Sequence, residues 1–122
     1  MTDERQNGMK VRREVLGDAH VDRAEASRTP LTDDFQDLLT RYVWGEIWMR
    51  PGLDRRTRSC ITVAMLVALN RNDELALHMR AALTNGVTVD ELKEILLQSA
   101  IYCGVPAANT AFGVAARILA EG

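Results

Sequence analysis

The ten residues Cys60-Ile61-Thr62-Val63-Ala64-Met65-Leu66-Val67-Ala68-Leu69 carry no charge and a single hydroxyl, and their apolar positions recur on every side of the helix they would form. A surface helix keeps a polar face, so a run that is apolar all round has to be covered on every side, at the centre of a subunit or in the wall between subunits. It is also far shorter than the ~20 residues that cross a bilayer. Asp54 is placed to start this helix, with Arg55, Arg56 and Arg58 in the polar N-terminal turn. Asn70-Arg71-Asn72 makes the turn that follows, and Asn72 or Asp73 caps the next helix. Leu75, Met79, Ala82 and Leu83 then repeat at the spacing of a core-facing stripe until Gly86 stops the helix after Thr84-Asn85. The segments 54–69 and 73–84 are therefore predicted to pack as a central antiparallel hairpin.

The rest of the chain reads as helices of ordinary length. Met1 to Gly8 is polar and predicted to fray, and Val11, Val15 and Leu16 share a helical face that Gly17 ends. Asp18 to Ala24 is a polar turn or short helix holding His20. Ser27-Arg28-Thr29-Pro30 breaks the chain, and Thr32 with Asp33 and Asp34 starts a helix along which Phe35, Leu38, Leu39 and Tyr42 recur. Val43 to Gly52 holds both tryptophans and ends in a Pro-Gly turn. Thr88-Val89-Asp90-Glu91 is a capping box. Behind it, Leu92, Ile95, Leu96, Ser99 and Cys103 line one helical face and Leu97, Ala100 and Ile101 another, again more apolar surface than a monomer of this size readily covers. Gly104-Val105-Pro106 breaks that helix, and Pro106 opens the last one, where its missing N–H costs nothing. No stretch alternates convincingly with a strand period, so the expected fold is all-α, about six helices in one domain spanning residues 1–122.

Composition narrows the function classes. A formal net charge of -2 gives no electrostatic reason to bind nucleic acid, and no segment has the layout of a signal peptide or a membrane span, so a cytoplasmic protein is expected. Cys60 and Cys103 stand far apart with no neighbouring cysteine or histidine ligand, which makes them structural free thiols and leaves no metal site in view. Cations are almost all arginine, 13 against 2 lysines, which suits carboxylate recognition and equally fits a codon bias.

The residues that carry chemistry cluster around the hairpin. Glu74 and His78 stand one turn apart beside the core stripe, where the carboxylate would orient the imidazole; a paired surface histidine is the plainer alternative. Glu46 lies between Trp44 and Trp48, either exposed or held in an apolar pocket that raises its pKa for proton transfer. Arginines in the first turn of a helix are unfavourable beside its dipole, which mildly favours a reason for them such as an anion site. His20 sits among charges and reads as solvated or capping.

Trp44-Gly45-Glu46-Ile47-Trp48, Arg50-Pro51-Gly52-Leu53, Arg58-Ser59, Leu69-Asn70-Arg71, Glu74-Leu75, His78-Met79-Arg80-Ala81-Ala82, Asn85-Gly86-Val87-Thr88 and Ala100 to Asn109 together resemble the gamma-carboxymuconolactone decarboxylase family, as does Gly17-Asp18-Ala19-His20-Val21. The resemblance covers nearly the whole chain. It also touches alkyl hydroperoxidase D, of the same superfamily, whose redox site is a CxxC followed four residues later by a histidine, with a glutamate upstream. With that histidine placed on His78, the two cysteines fall on Arg71 and Glu74 and the glutamate on Ser59, so thiol peroxidase chemistry is excluded by side chains.

What the resemblance implies is an all-helical, alkyl hydroperoxidase D-like subunit in a homo-oligomeric ring, a hexamer, acting in the protocatechuate branch of the beta-ketoadipate pathway. Its substrate would be a small dicarboxylate lactone. Decarboxylation there sends electrons into the conjugated lactone carbonyl, so the sink lies inside the substrate and no cofactor is expected. Arg58 and Arg80, with Arg50 and Arg55 behind them, would hold the dianion. His78, oriented by Glu74, is the first candidate for oxyanion donor or proton donor, and Glu46 the second candidate acid. Trp44, Trp48, Tyr102 and Cys103 would supply an apolar wall around the leaving carboxylate. The alternatives are a different acid or lactone substrate on the same scaffold, or a non-catalytic helical oligomer that binds a small anion or a partner protein.

Overall fold

Two helix pairs explain most of this chain, each inside its own compact unit, Met1–Leu53 and Asp54–Gly122. A computed structural model describes residues 2–121, all of whose regular elements are helical: seven α-helices and one π-helical segment. The expected all-α class holds, with one helix more than the periodicity suggested.

In the first unit, α1 (Thr2–Leu16) leads through Gly17, at φ 89°, into α2 (Asp18–Ala26), and α3 (Asp33–Leu38) runs without a break into a π-helical turn, Leu39–Ile47. The stretch expected to fray is thus helical from Thr2; Met1 lies outside the described residues. Packing accounts for it. A Cβ at Gly45 would stand 2.5 Å from the Glu4 carbonyl oxygen, and one at Gly8 would stand 2.9 Å from the Gly45 amide nitrogen and deep inside the Thr40 carbonyl. Only glycine lets these two backbones meet, so the polar end of α1 is ordered by contact and not by its own propensity. Arg12, buried at the same crossing, donates to Gln36 Oε1 at 3.0 Å and Thr40 Oγ1 at 3.4 Å, while burial pushes its pKa down. Val11, Val15, Val21, Trp44 and Trp48 are the buried apolar residues of this unit.

The second unit is a four-helix bundle: α4 (Arg55–Leu69), α5 (Asn72–Thr84), α6 (Val89–Cys103) and α7 (Val105–Glu121). α4 packs on α5 and α6, and α7 on the same two. The start and stop signals work as expected at three places. Asp54 Oδ1 accepts the Thr57 N–H at 2.7 Å, Thr88 and Glu91 form the full capping box, and Gly86 takes the positive φ past the end of α5. Two boundaries differ. Arg71, not Asn72 or Asp73, precedes α5, with no side-chain cap, and α7 starts at Val105, with Pro106 one residue inside it.

The core runs through Val63, Val67, Leu75, Met79, Leu92, Leu96, Ala111 and Ile118. Burying one Leu or Met side chain contributes roughly 1.5–3 kcal/mol, so this shared core of all four helices is a large stabilising term. One expectation fails within the single chain: α4 is not covered all round, because Met65 is 59% exposed and Ile61 and Leu69 are exposed beside it. On α6, Ile101 and Tyr102 are 79% and 83% exposed.

Candidate active site

The arginine-bearing turn of α4 is held from three directions. Its own cap, Asp54, binds Thr57, and that hydrogen bond pulls the Asp54 pKa down. Arg56 pairs with Glu91 Oε2, while Glu91 Oε1 accepts the Thr88 N–H at 2.9 Å, so one carboxylate both closes the α6 capping box and clamps α4. Ser59, fully buried, accepts a hydrogen bond from Asn85 Nδ2 at 2.9 Å, which ties the turn to the end of α5. Arg58 is half-buried next to it, and its carbonyl accepts the Thr62 hydroxyl at 2.9 Å.

On α5, Leu75, Met79 and Ala82 point into the core, which leaves Glu74, His78 and Asn85 on an adjoining stripe at spacings of four and seven residues. His78 is half-buried and Glu74 exposed. On α4, Arg55, Ser59 and Thr62 share a stripe with Arg58 at its edge. Because Asn85 on one stripe meets Ser59 on the other, the hairpin carries a polar seam beside its apolar core. Along α5, His78 stands seven residues before Asn85, roughly 10 Å along the axis. Cations thus gather at the open end of the hairpin and the imidazole at its centre.

The other residues singled out from sequence fall elsewhere. Arg80 is turned toward the C-terminal helix: its Nε and a terminal nitrogen donate to the two Glu121 carboxylate oxygens at 3.0 and 2.9 Å, raising the Arg80 pKa and lowering that of Glu121. Tyr102 and Cys103 line a groove of about 370 Å³ between α4 and α6 with Cys60, Ile61, Ala64 and Ile95. His78 does not line it, so this groove is distinct from the polar seam. Trp44, Trp48, Glu46 and Arg50 belong to the first unit. The two indoles lie buried with ring centres 5.2 Å apart, and Glu46 is 52% exposed and pairs with Arg50 at 3.3 Å. Of the two readings of Glu46, the exposed one describes this environment. Among the described residues, no group of three or more His, Cys, Asp or Glu side chains is placed to hold a metal.

Sequence reasoning missed Ser59 and Asn85. Asn85 enters the sequence reading at the end of a helix and Ser59 where the redox relative's glutamate falls, and both within the family resemblance, with no pairing between them. A small hydroxyl facing inward in a turn of arginines was the available signal, and its partner 26 residues away was not.

A four-helix bundle built on an antiparallel hairpin, with a capped, arginine-bearing turn at the start of α4, defines the class as a small all-α protein. The sequence comparisons make the class specific. The carboxymuconolactone decarboxylase family matches residues 33–117, and the chain belongs to that family. It is 47% identical over 123 residues to a 4-carboxymuconolactone decarboxylase of Acinetobacter baylyi, covering 99% of this chain and 92% of the relative. It is 46% identical over 99 residues to the nitrosuccinic acid decarboxylase npaB of Metarhizium robertsii, covering 81% and 69% respectively. A 4-carboxymuconolactone decarboxylase of Pseudomonas putida matches over 39 residues at 49% identity, covering 32% of this chain and 81% of the relative.

Proposed function

We propose that this protein is a carboxy-lyase that converts 4-carboxymuconolactone to 3-oxoadipate enol-lactone, in the protocatechuate branch of the beta-ketoadipate pathway. The observation that carries the reading is 47% identity over nearly the whole chain to a decarboxylase of that name. In this scheme Arg58 and Arg55 hold the substrate carboxylates at the open end of the hairpin. The carboxylate leaves as carbon dioxide, its bonding pair moves into the conjugated lactone carbonyl, and the dienolate is stabilised where the charge develops. Carbon is then protonated to give the enol-lactone. His78, oriented by Glu74, serves as oxyanion or proton donor, with Glu46 the second candidate acid. The electron sink belongs to the substrate, so the scheme calls for no cofactor.

Arg80 enters as a secondary contact, since a substrate carboxylate there has to compete with Glu121. Tyr102 and Cys103, which line the separate α4–α6 groove, and Trp44 and Trp48, buried in the first unit, take no part in this scheme. The apolar residues left exposed on α4 and α6 support a homo-oligomer, with a hexamer as the proposed assembly in the cytoplasm. A second reading follows from the fungal relative: nitrosuccinic acid is also a dicarboxylate with an internal electron sink, its nitro group, and would use the same three functions.

Ultraviolet absorbance of the lactone mixed with chelator-treated protein tests the proposal. Undiminished turnover, with the enol-lactone as product, is expected. Tight lactone binding without turnover would instead establish a non-catalytic anion-binding oligomer.

A further inference from the structure

The α4–α5 hairpin is closed covalently at one end only, by the short turn at Asn70 and Arg71, with Asn70 in the left-handed region at φ 57°. The arginine-bearing end is open. Apolar contacts between Val63, Val67, Leu75 and Met79 set which face of α5 is buried, but they are non-directional and leave its exact angle at the open end to polar contacts. A rotation of a few tens of degrees, less than the ~100° between successive residues, keeps the stripe buried and still turns His78 relative to the seam. The Ser59–Asn85 hydrogen bond opposes that rotation. Ser59 is 0% exposed, so losing its partner strands a hydroxyl where water does not reach, a penalty of roughly 1–3 kcal/mol. Ser59 itself sits in a turn already fixed by the Asp54 cap and the Arg56–Glu91 pair. Asn85 shares its stripe with Glu74 and His78, so whatever sets the angle of Asn85 sets theirs.

We infer that Asn85 is a positioning residue: by donating to Ser59 it fixes the rotational setting of α5 that presents His78 to the seam. The kinetic consequence rests on the decarboxylase reading; the setting of the helix does not. Variants Asn85→Ala and Ser59→Ala each break the bond, while Asn85→Asp removes the donor and keeps the link in the reverse sense, with the Ser59 hydroxyl donating to the carboxylate. Two measurements decide. In the ring ¹H–¹³C spectrum, whose other histidine signal is His20 in the first unit, both alanine variants are expected to move the His78 signal alike. The double variant moves it no further, and Asn85→Asp stays near wild type. In the lactone assay, kcat is expected to fall roughly tenfold with KM within twofold, and Asn85→Asp to recover most of it. An unmoved His78 signal in the alanine variants overturns the inference. So does kcat within twofold of wild type in an active enzyme, even if thermal stability falls, since that leaves Asn85 as a helix cap alone. Should wild type itself not turn over the lactone, the decarboxylase reading fails and the His78 signal decides the positioning role by itself. If Asn85→Ala does not fold, Ser59→Ala, which removes one atom, gives the same answer.

Discussion

Arg80 meets Glu121 through two nearly parallel hydrogen bonds, 3.0 and 2.9 Å long, joining the middle of α5 to the last turn of α7. Both side chains are about half exposed, so solvent screens the pair. Arg80→Ala is expected to lower stability by less than about 1 kcal/mol, read by urea unfolding. Its effect on KM should be smaller than that of a change at Arg58, because the Arg80 charge is already matched. A larger rise in KM for Arg80→Ala than for Arg58→Ala would reverse that ranking.

His78→Ala should lose on the order of 100- to 1,000-fold in turnover, the usual cost of removing an oxyanion donor, while helicity and elution volume stay those of wild type. Glu46→Gln, at an exposed carboxylate paired with Arg50, should leave kcat within about twofold of wild type, since surface pairs of this kind contribute little. Reversed sensitivities would move the proton donor to Glu46.

Arg58→Lys keeps the charge and removes the planar fork that grips a carboxylate with two hydrogen bonds. KM is expected to rise roughly tenfold, a loss of about 1.4 kcal/mol in capture, with a smaller change in kcat. Steady-state kinetics on the lactone measure it, and an unchanged KM removes Arg58 from the carboxylate site.

Gly8→Ala and Gly45→Ala place a methyl group against backbone, not against side chains that can turn away. Each should cost at least about 1–3 kcal/mol, visible as a lower midpoint in chemical denaturation. Gly52→Ala, where an added Cβ meets nothing, is the matched control and should change little.

Burial is the main cause that pushes the His20 imidazole below its ordinary value of 6.5, and the Arg12 and Arg23 cations push the same way. The folded state therefore holds the proton less tightly than the unfolded chain does. The contribution is present above about pH 6.5 and is lost as pH falls through the lower folded value. Asp37, Asp54 and Glu121, each held below its ordinary carboxylate value, lose their share only at more acid pH. Denaturation midpoints between pH 7.5 and about 5 should fall for wild type and fall less for His20→Gln; equal slopes would mean that His20 is not the group responsible.

Much of the fold was legible because its signals are local. The capping box at Thr88 and Glu91, the Asp54 cap and the glycine stop at Gly86 each act within four residues, so reading the chain in order finds them. The stripe Leu75, Met79 and Ala82 predicted a buried face, and those residues are buried. What was misread depended on partners distant in sequence. The polar start of α1 looked too weak to be helical because Gly45, which it packs against, lies 37 residues beyond Gly8. Cys60 to Leu69 called for cover on every side, and composition cannot say whether its own chain or a second subunit supplies it; Ile61, Met65 and Leu69 are left exposed by its own chain.

The candidate site divides along the same line. Residue types and spacing by themselves determined that His78 and Glu74 share a helical face, that arginines crowd the first turn of α4, and that the CxxC spacing of a thiol peroxidase is absent. Only the tertiary structure decided that Arg80 is committed to Glu121, that Tyr102 and Cys103 open onto a separate groove, and that Ser59 and Asn85 lock the hairpin together. The physical reason is range. Helical periodicity and capping are set by neighbours within a turn or two, whereas an ion pair across 41 residues or a hydrogen bond across 26 exists only after packing has fixed where each helix lies and which way it is turned.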